Sequence, residues 1–334
     1  MLHKILVTGP MHEKGINLLK EHFLIEGNLE RAMNRSEVLK AIADKVGLVI
    51  ASALLRVDKE LLEHATSLRV VSTVSVGFDH IDVEEATKRG IYVCNTPGVL
   101  TDCVAETTWA LILSTYKRIG EAERFVRMKK WTRDLYDTEF LGRDLKGKTL
   151  GIVGMGKIGR RVAEIAKCFG MQVIYYDIVR SYDVEKLGYK YCDLDTLMSE
   201  ADVVSIHVPL SKETYHLIDG QKIYRMKKDA ILINTARGRV VDEKALIRAL
   251  KEKRIAGAGL DVFEVEPLPL DSELLELENV VLSPHRGSAS IETRSAMAEL
   301  AAKNLIAVLK GQIPPALVNP EVMGIRSLEK VKLL

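Results

Sequence analysis

The chain has 334 residues, 48 basic and 46 acidic, for a formal net charge of +2, and 47% of it is hydrophobic. That length exceeds one simple core and points to two domains. The balanced charge leaves no broad electrostatic footprint for nucleic acid or anionic membrane, and no apolar run reaches the roughly 18 residues that span a bilayer. The start, Met1-Leu-His-Lys-Ile-Leu-Val-Thr-Gly, reads as a first strand without the organisation of a cleavable signal, so a cytoplasmic protein is expected. Cys94, Cys103, Cys168 and Cys192 are scattered without ligand spacing and read as buried reduced thiols. The eight histidines form no metal-type cluster, and no metal is expected.

In chain order, short apolar runs alternate with amphipathic stretches over the first hundred residues. The strand candidates are Lys4 to Thr8, Gly47 to Ser52, Leu68 to Val74 and Gly90 to Asn95. Between them lie helix candidates at Glu13 to His22, Ser36 to Asp44, Asp58 to His64 and Asp82 to Arg89. This alternation argues for βαβ units on a parallel sheet. Thr96-Pro-Gly98 breaks the pattern, and Thr101 to Arg118 follows as one long apolar helix, with Thr101 or Asp102 as its cap.

A polar stretch containing Trp131 leads to Gly151-Ile-Val-Gly154-Met-Gly156-Lys-Ile-Gly159. A strand, a glycine-rich turn and a helix in that order form a dinucleotide-binding fingerprint. Gly154 allows the tight turn, Gly156 close approach of backbone to a pyrophosphate, and Gly159 close packing of helix on strand. The helix start offers unpaired N–H groups to the phosphates. Asp177 ends the next strand, where a carboxylate can accept from the adenosine ribose hydroxyls. Further strands are expected at Gln172 to Asp177, Asp202 to Val208, Ala230 to Asn234, Ala256 to Val262 and Val280 to Ser283, six with the one before the turn. The chain ends in a helix from Ser290 to Leu309 and a Pro314-Pro315 segment with no core of its own. The natural support for that tail is the first hundred residues. The fold expected is therefore α/β, with two Rossmann-like or flavodoxin-like parallel-sheet domains: a substrate domain of residues 1–100 and 289–334, and a nucleotide-binding domain, 101–288, inserted within it.

Four segments at strand ends carry candidate chemistry. Ser75-Val76-Gly77 offers adjacent N–H groups as a small anion nest, or a plain turn. Arg237, after an apolar strand and before Gly238, has the planar fork suited to a carboxylate, whereas Arg239 reads as its solvated neighbour. Asp261, Glu264 and Glu266 form a carboxylate-rich loop, either solvated or cation-binding, and Glu266 precedes a proline that holds it extended. His285 follows a strand and Pro284. Hydride transfer to a 2-oxo acid needs a cation for the carboxylate and a proton donor for the developing alkoxide. Arg237 supplies the first and His285 the second, with Glu266 holding the imidazole and favouring its charged form.

With Thr96-Pro-Gly-Val-Leu-Thr, Asn234-Thr-Ala-Arg-Gly, Gly259-Leu-Asp-Val-Phe and Pro284-His in order, the chain resembles the D-isomer-specific 2-hydroxyacid dehydrogenases over nearly its whole length. Within that family it is most similar to the glyoxylate/hydroxypyruvate reductases. The resemblance implies catalysis by Arg237, Glu266 and His285, and substrate binding by Arg237 and the backbone of Val76 and Gly77, with Leu54 lining the pocket. It implies cofactor contacts at Gly154, Met155, Gly156, Lys157, Ile158, Asp177, Val208, Pro209, Thr214, Thr235, Ala236, Arg237, Asp261, His285 and Gly287. It also implies a homodimer formed through the nucleotide domain and the helix near residues 101–118, with residues 131–140 either a dimer arm or a surface loop. Lys157 stands where many members have Arg, and Arg286 is an extra cation beside the catalytic His. Asp177 repels a 2′-phosphate, so NAD(H) is expected over NADP(H), although Arg180 is a nearby cation. The alternatives are a D-3-phosphoglycerate dehydrogenase, using Arg56 or Arg286 for the phosphate, and an NAD-sensing corepressor-type binding protein.

Overall fold

The computed structural model describes residues 2–52, 54–136 and 138–334, and these fall into two compact units, Met1–Leu100 with Ala289–Leu334, and Thr101–Ser288. Among the described residues the first unit holds five parallel strands, β1 (Lys4–Val7), β2 (Leu24–Gly27), β3 (Gly47–Ile50), β4 (Val70–Thr73) and β5 (Tyr92–Cys94), in the order β2-β1-β3-β4-β5. The strands β1, β3 and β5 are nearly continuous apolar runs, and β4, Val-Val-Ser-Thr, is buried throughout, because helices cover both faces. One core packs around Leu6, Leu48, Ile50, Val71 and Val93. Asp58 and Asp82 each cap a helix by accepting the N–H three residues on, from Leu61 and Glu85.

The helix Ile291–Leu309 begins at its cap Ser290 and packs against β3, β4, β5 and the helix Glu13–Lys20. Leu305, Val308 and Leu309 are fully buried, each burial stabilising by roughly 1.5–3 kcal/mol. Behind it, Val318 N–H donates to Val93 O at 2.8 Å and Leu317 bridges Cys94, so the C-terminal segment adds to the sheet's edge.

Among the described residues the second unit holds a seven-stranded parallel sheet of β6 (Thr149–Val153), β7 (Gln172–Tyr176), β8 (Lys190–Tyr191), β9 (Val203–Ile206), β10 (Ile231–Asn234), β11 (Gly257–Leu260) and β12 (Val280–Leu282), ordered β12-β11-β10-β9-β6-β7-β8. This is the doubly wound dinucleotide order with one extra edge strand, and its chain order reverses between β6 and β9. Apolar clusters flank both faces.

The structure corrects several expectations. Seven strands replace six, because β8 is only two residues long and carries no run to see. In the first unit β2 was not expected, since Leu24-Ile-Glu-Gly is a half-exposed edge strand without alternation. The helix expected to reach Arg118 stops at Tyr116. Arg118 turns left-handed, with φ 56°, and a second helix, Ile119–Arg127, follows. Thr101 and Asp102 do not cap: both lie inside the helix that begins at Thr101, after the 98–100 turn, and Asp102 instead pairs with Arg161 at 2.7 Å. Of the four cysteines only Cys94 is buried; Cys103 and Cys192 are half-buried, and Cys168 is exposed at the end of its helix.

Candidate active site

The dinucleotide turn shows why two of its three glycines are needed. Gly154 has φ 99°, and a Cβ there would lie 2.8 Å from the Val208 side chain. A Cβ on Gly159 would lie 2.2 Å from Gly154 O, so helix Lys157–Cys168 can approach β6 only without one. At Gly156 a Cβ would meet no protein atom within 4 Å. The protein itself leaves that space open, and Gly156 caps the helix without any side-chain bond to its first N–H groups. Open space before an uncapped helix start fits a pyrophosphate. Met155 is buried, while Lys157 is exposed.

Asp177 lies directly past β7, and its carboxylate is held in place. Oδ2 accepts Met155 N–H at 2.7 Å and Oδ1 accepts Val179 N–H at 3.3 Å, which ties the acidic residue to the glycine turn. Each oxygen keeps acceptor capacity for a ribose hydroxyl. Arg180 is engaged elsewhere: Nε and Nη2 reach Glu185 at 2.7 and 2.8 Å, and the guanidinium lies over Tyr182 and Tyr191. At the end of β9, Val208 and Pro209 lead to Thr214, whose hydroxyl donates to Pro209 O at 2.6 Å.

At the end of β10, Asn234 organises the turn. Its Oδ1 accepts Ala236 N–H at 3.0 Å and its Nδ2 donates to Arg237 O at 2.9 Å. The Thr235 hydroxyl meets Thr108 at 2.9 Å, and Arg237 is half-buried. Gly238 is needed for packing: a Cβ there would lie 1.9 Å from the carbonyl carbon of Phe263. The missing side chain brings the Arg237 turn against the loop that carries Glu266. Arg239 is exposed, its Nε donating to Glu264 O at 3.2 Å.

The three loop carboxylates do not converge on one point. Buried Asp261 accepts the N–H groups of Arg286 and Gly287, both at 2.7 Å, and its carbonyl accepts His285 N–H at 2.8 Å. It therefore shapes the turn that presents His285, whose φ is 53°. Glu264 accepts from His216 Nε2 at 2.8 Å and from Glu243 N–H at 3.1 Å. Glu266, before a cis proline bond, accepts Phe263 N–H through Oε1 at 3.1 Å and meets His285 Nδ1 through Oε2 at 2.6 Å. Burial pushes the Glu266 carboxyl up, but the His285 hydrogen bond and charge, the Phe263 N–H and the Arg237 charge outweigh it. Its pKa falls below the ordinary carboxylate value. An ionised carboxylate can only accept, so Nδ1 carries the proton and Nε2 is the nitrogen left for a substrate. Arg286, next in the chain, is exposed.

In the first unit, the Ser75-Val76-Gly77 turn follows β4. Among the described residues no protein acceptor takes the N–H of Val76 or Gly77. Leu54 and Arg56 follow β3 and are both exposed.

A strand-end arginine, a carboxylate–imidazole pair and a dinucleotide turn on one sheet define a nicotinamide-dependent oxidoreductase. The model of the D-isomer specific 2-hydroxyacid dehydrogenase NAD binding domain matches residues 109–287, and the chain belongs to that family, whose members act on 2-hydroxy acids. The glyoxylate reductase of Thermofilum pendens is 52% identical over 335 residues, 99% of this chain and 98% of that protein. Among solved structures, the NADPH-dependent glyoxylate/hydroxypyruvate reductase of Sinorhizobium meliloti, in complex with NADP and malonate, is 34% identical. It aligns with a TM-score of 0.84 over 96% of this chain and 98% of that one. The D-lactate dehydrogenase of Aquifex aeolicus, complexed with NAD and lactic acid, is 35% identical with a TM-score of 0.84, over 95% and 99% of the chains.

Proposed function

We propose that this protein is an NADH-dependent reductase of glyoxylate, hydroxypyruvate or a similar small 2-oxo acid, forming the 2-hydroxy acid, of D configuration where that carbon is a stereocentre. The observation that carries the reading is the 2.6 Å contact between His285 Nδ1 and the ionised Glu266, whose carboxyl also feels Arg237. Bound NADH supplies the hydride. His285 Nε2 gives its proton to the carbonyl oxygen in reduction and takes one back in oxidation, with Glu266 stabilising the imidazolium. As substrate-binding groups we assign the Arg237 fork in the second unit and, in the first, the N–H groups of Val76 and Gly77 and the Leu54 side chain.

Gly154, Met155, Gly156, Lys157 and Ile158 would hold the pyrophosphate and Asp177 the adenosine ribose. Val208, Pro209, Thr214, Thr235, Ala236, Arg237, Asp261, His285 and Gly287 would line the rest of the cofactor path. The preference for NADH over NADPH rests on Asp177, whose carboxylate, held by the Met155 N–H, would repel a 2′-phosphate, and on Arg180, occupied by Glu185. Such an enzyme needs a recycled pool of dinucleotide, which supports action in the cytoplasm. The exposed apolar side chains Ile119, Val126, Met128, Trp131, Leu135 and Tyr136, clustered in one stretch of the second unit, support burial against a second copy in a homodimer. Asp137 of that stretch lies outside the described residues.

The test is NADH oxidation followed at 340 nm with glyoxylate, hydroxypyruvate and phosphohydroxypyruvate. Turnover of glyoxylate or hydroxypyruvate, with NADPH at least tenfold poorer, is expected. Phosphohydroxypyruvate as the best substrate would favour a D-3-phosphoglycerate dehydrogenase, and no turnover with any of the three would favour an NAD-sensing binding protein.

A further inference from the structure

The turn at Ser75–Gly77 sits on an unusual amount of buried polar structure. Thr73, His80, Asn95 and Asn304 are all less than one-tenth exposed, and burying polar side chains is unfavourable unless their hydrogen bonds are met. They form two chains of bonds that end on this turn. His80 Nε2 meets Thr73 Oγ1 at 3.2 Å, Thr73 meets Ser75 Oγ at 2.8 Å, and Ser75 Oγ donates to Gly77 O at 2.7 Å. Asn304, in the C-terminal helix, donates to Asn95 O at 2.9 Å, and Asn95 Nδ2 donates to Val76 O at 2.8 Å. Thr96 N–H donates to Ser75 O at 2.9 Å.

Three successive carbonyls, those of Ser75, Val76 and Gly77, are thus each held from within the unit. A trans peptide is planar, and its N–H points opposite to its C=O. Holding Ser75 O therefore aims the Val76 N–H away from the unit's interior, and holding Val76 O aims the Gly77 N–H likewise. Those are the two N–H groups for which no acceptor is found among the described residues. The side chain that fixes the Gly77 N–H is Asn95, which touches neither substrate nor cofactor in the assignments above.

We propose that Asn95 is a positioning residue for substrate. Its amide locks the Val76–Gly77 peptide so that the Gly77 N–H is preorganised for the carboxylate of the 2-oxo acid, with Ser75 bracing the following peptide. The inference rests on the reading of this turn as a carboxylate site. Asn95→Asp keeps the shape and removes the donor, setting a carboxylate against the Val76 carbonyl. A preorganised ground-state contact acts mainly on binding.

The experiment measures KM and kcat for glyoxylate and the NADH dissociation constant in wild type, Asn95→Asp, Ser75→Ala and Asn319→Ala. Asn319 is a buried asparagine of the same unit, bonded to Val93 N–H, Ile91 O and Thr87, and it does not touch the turn. The expected result is at least a tenfold rise in KM for Asn95→Asp and a three- to tenfold rise for Ser75→Ala. In both, kcat stays within threefold and NADH affinity within twofold of wild type. Asn319→Ala should lower Tm and leave KM alone. If Asn95→Asp does not fold, the Ser75→Ala result decides. An unchanged KM in an active enzyme, or an equal KM rise in Asn319→Ala, overturns the positioning role alone. A wild type that reduces no 2-oxo acid overturns the role together with the reading beneath it.

Discussion

Replacing Glu266 with Gln tests what the carboxylate does for His285. The amide is nearly isosteric and its oxygen can still accept from Nδ1, so the 2.6 Å contact survives as a neutral hydrogen bond. What is lost is the charge that steadies the imidazolium, together with the acceptor for the Phe263 N–H, which the amide NH2 then faces. Coulomb's law at about 4 Å between charge centres and an effective dielectric of about 20 gives about 4 kcal/mol. The two side chains are 41% and 21% exposed, and solvent screening reduces that figure. Hydrogen bonds to charged groups contribute about 1.5–3 kcal/mol and neutral ones about 0.5–1.5. The exchange therefore costs about 1–2 kcal/mol, or about 5- to 30-fold in kcat/KM. The assay is NADH oxidation by glyoxylate at neutral pH, with NADH affinity measured separately by fluorescence quenching. A Glu266→Gln enzyme within twofold of wild type in kcat/KM would refute the reasoning, because the charge on Glu266 would then be irrelevant to the proton transfer.

The same variant has a signature in stability. The folded-state pKa of Glu266 is lowered, so its ionisation stabilises the fold above the unfolded-state value and the gain disappears as pH falls through the folded value. Wild type should unfold at a higher temperature than Glu266→Gln at pH 7, and the difference measured by calorimetry should shrink as pH falls below the ordinary carboxylate value and vanish once it is below the lowered folded-state value. Gly238→Ala would force a Cβ to within 1.9 Å of Phe263 backbone. It should destabilise by more than about 3 kcal/mol in a urea titration, since backbone cannot step aside as a side-chain tip can. Asp177→Ser removes the carboxylate proposed to bind the ribose and also loosens the Met155 N–H. The KM for NADH should rise about tenfold while that for NADPH changes less, since one good hydrogen bond to a charged group is worth about that factor; equal rises for both cofactors would count against the assignment.

The strands around the catalytic set could be read from the chain because each carries its own local signal. β6, β9, β10 and β11 are apolar runs ended by Gly154, His207, Thr235 and Asp261, and doubly wound topology puts such ends on one edge. Position in the sheet follows from period and punctuation, which are local. The edge strands β2 and β8 carry no such signal: one is half-exposed and the other two residues long. The break at Arg118 was also hidden, since nothing in Tyr116-Lys-Arg-Ile marks a left-handed residue. Most of the residues that set the site's shape act over long separations. Gly238 meets a backbone 25 residues away, Asp261 holds the turn at 286–287, and Asn304 reaches Asn95 across 209 residues. Such pairings follow from tertiary packing, which no pattern of period or spacing encodes. Arg237, Glu266 and His285 stood out in the chain because residue type carries their proposed chemistry; the hydrogen bonds that hold Glu266 and the His285 turn were not legible there.

The central claim, that His285 is the proton donor of an NADH-dependent reductase, is tested most directly by His285→Ala. General acid catalysis is worth about 10²- to 10⁴-fold and acts in the transition state. The turnover of glyoxylate should fall by that factor while the NADH dissociation constant stays within about twofold of wild type. A loss of less than tenfold in turnover, with NADH still bound, would contradict the account.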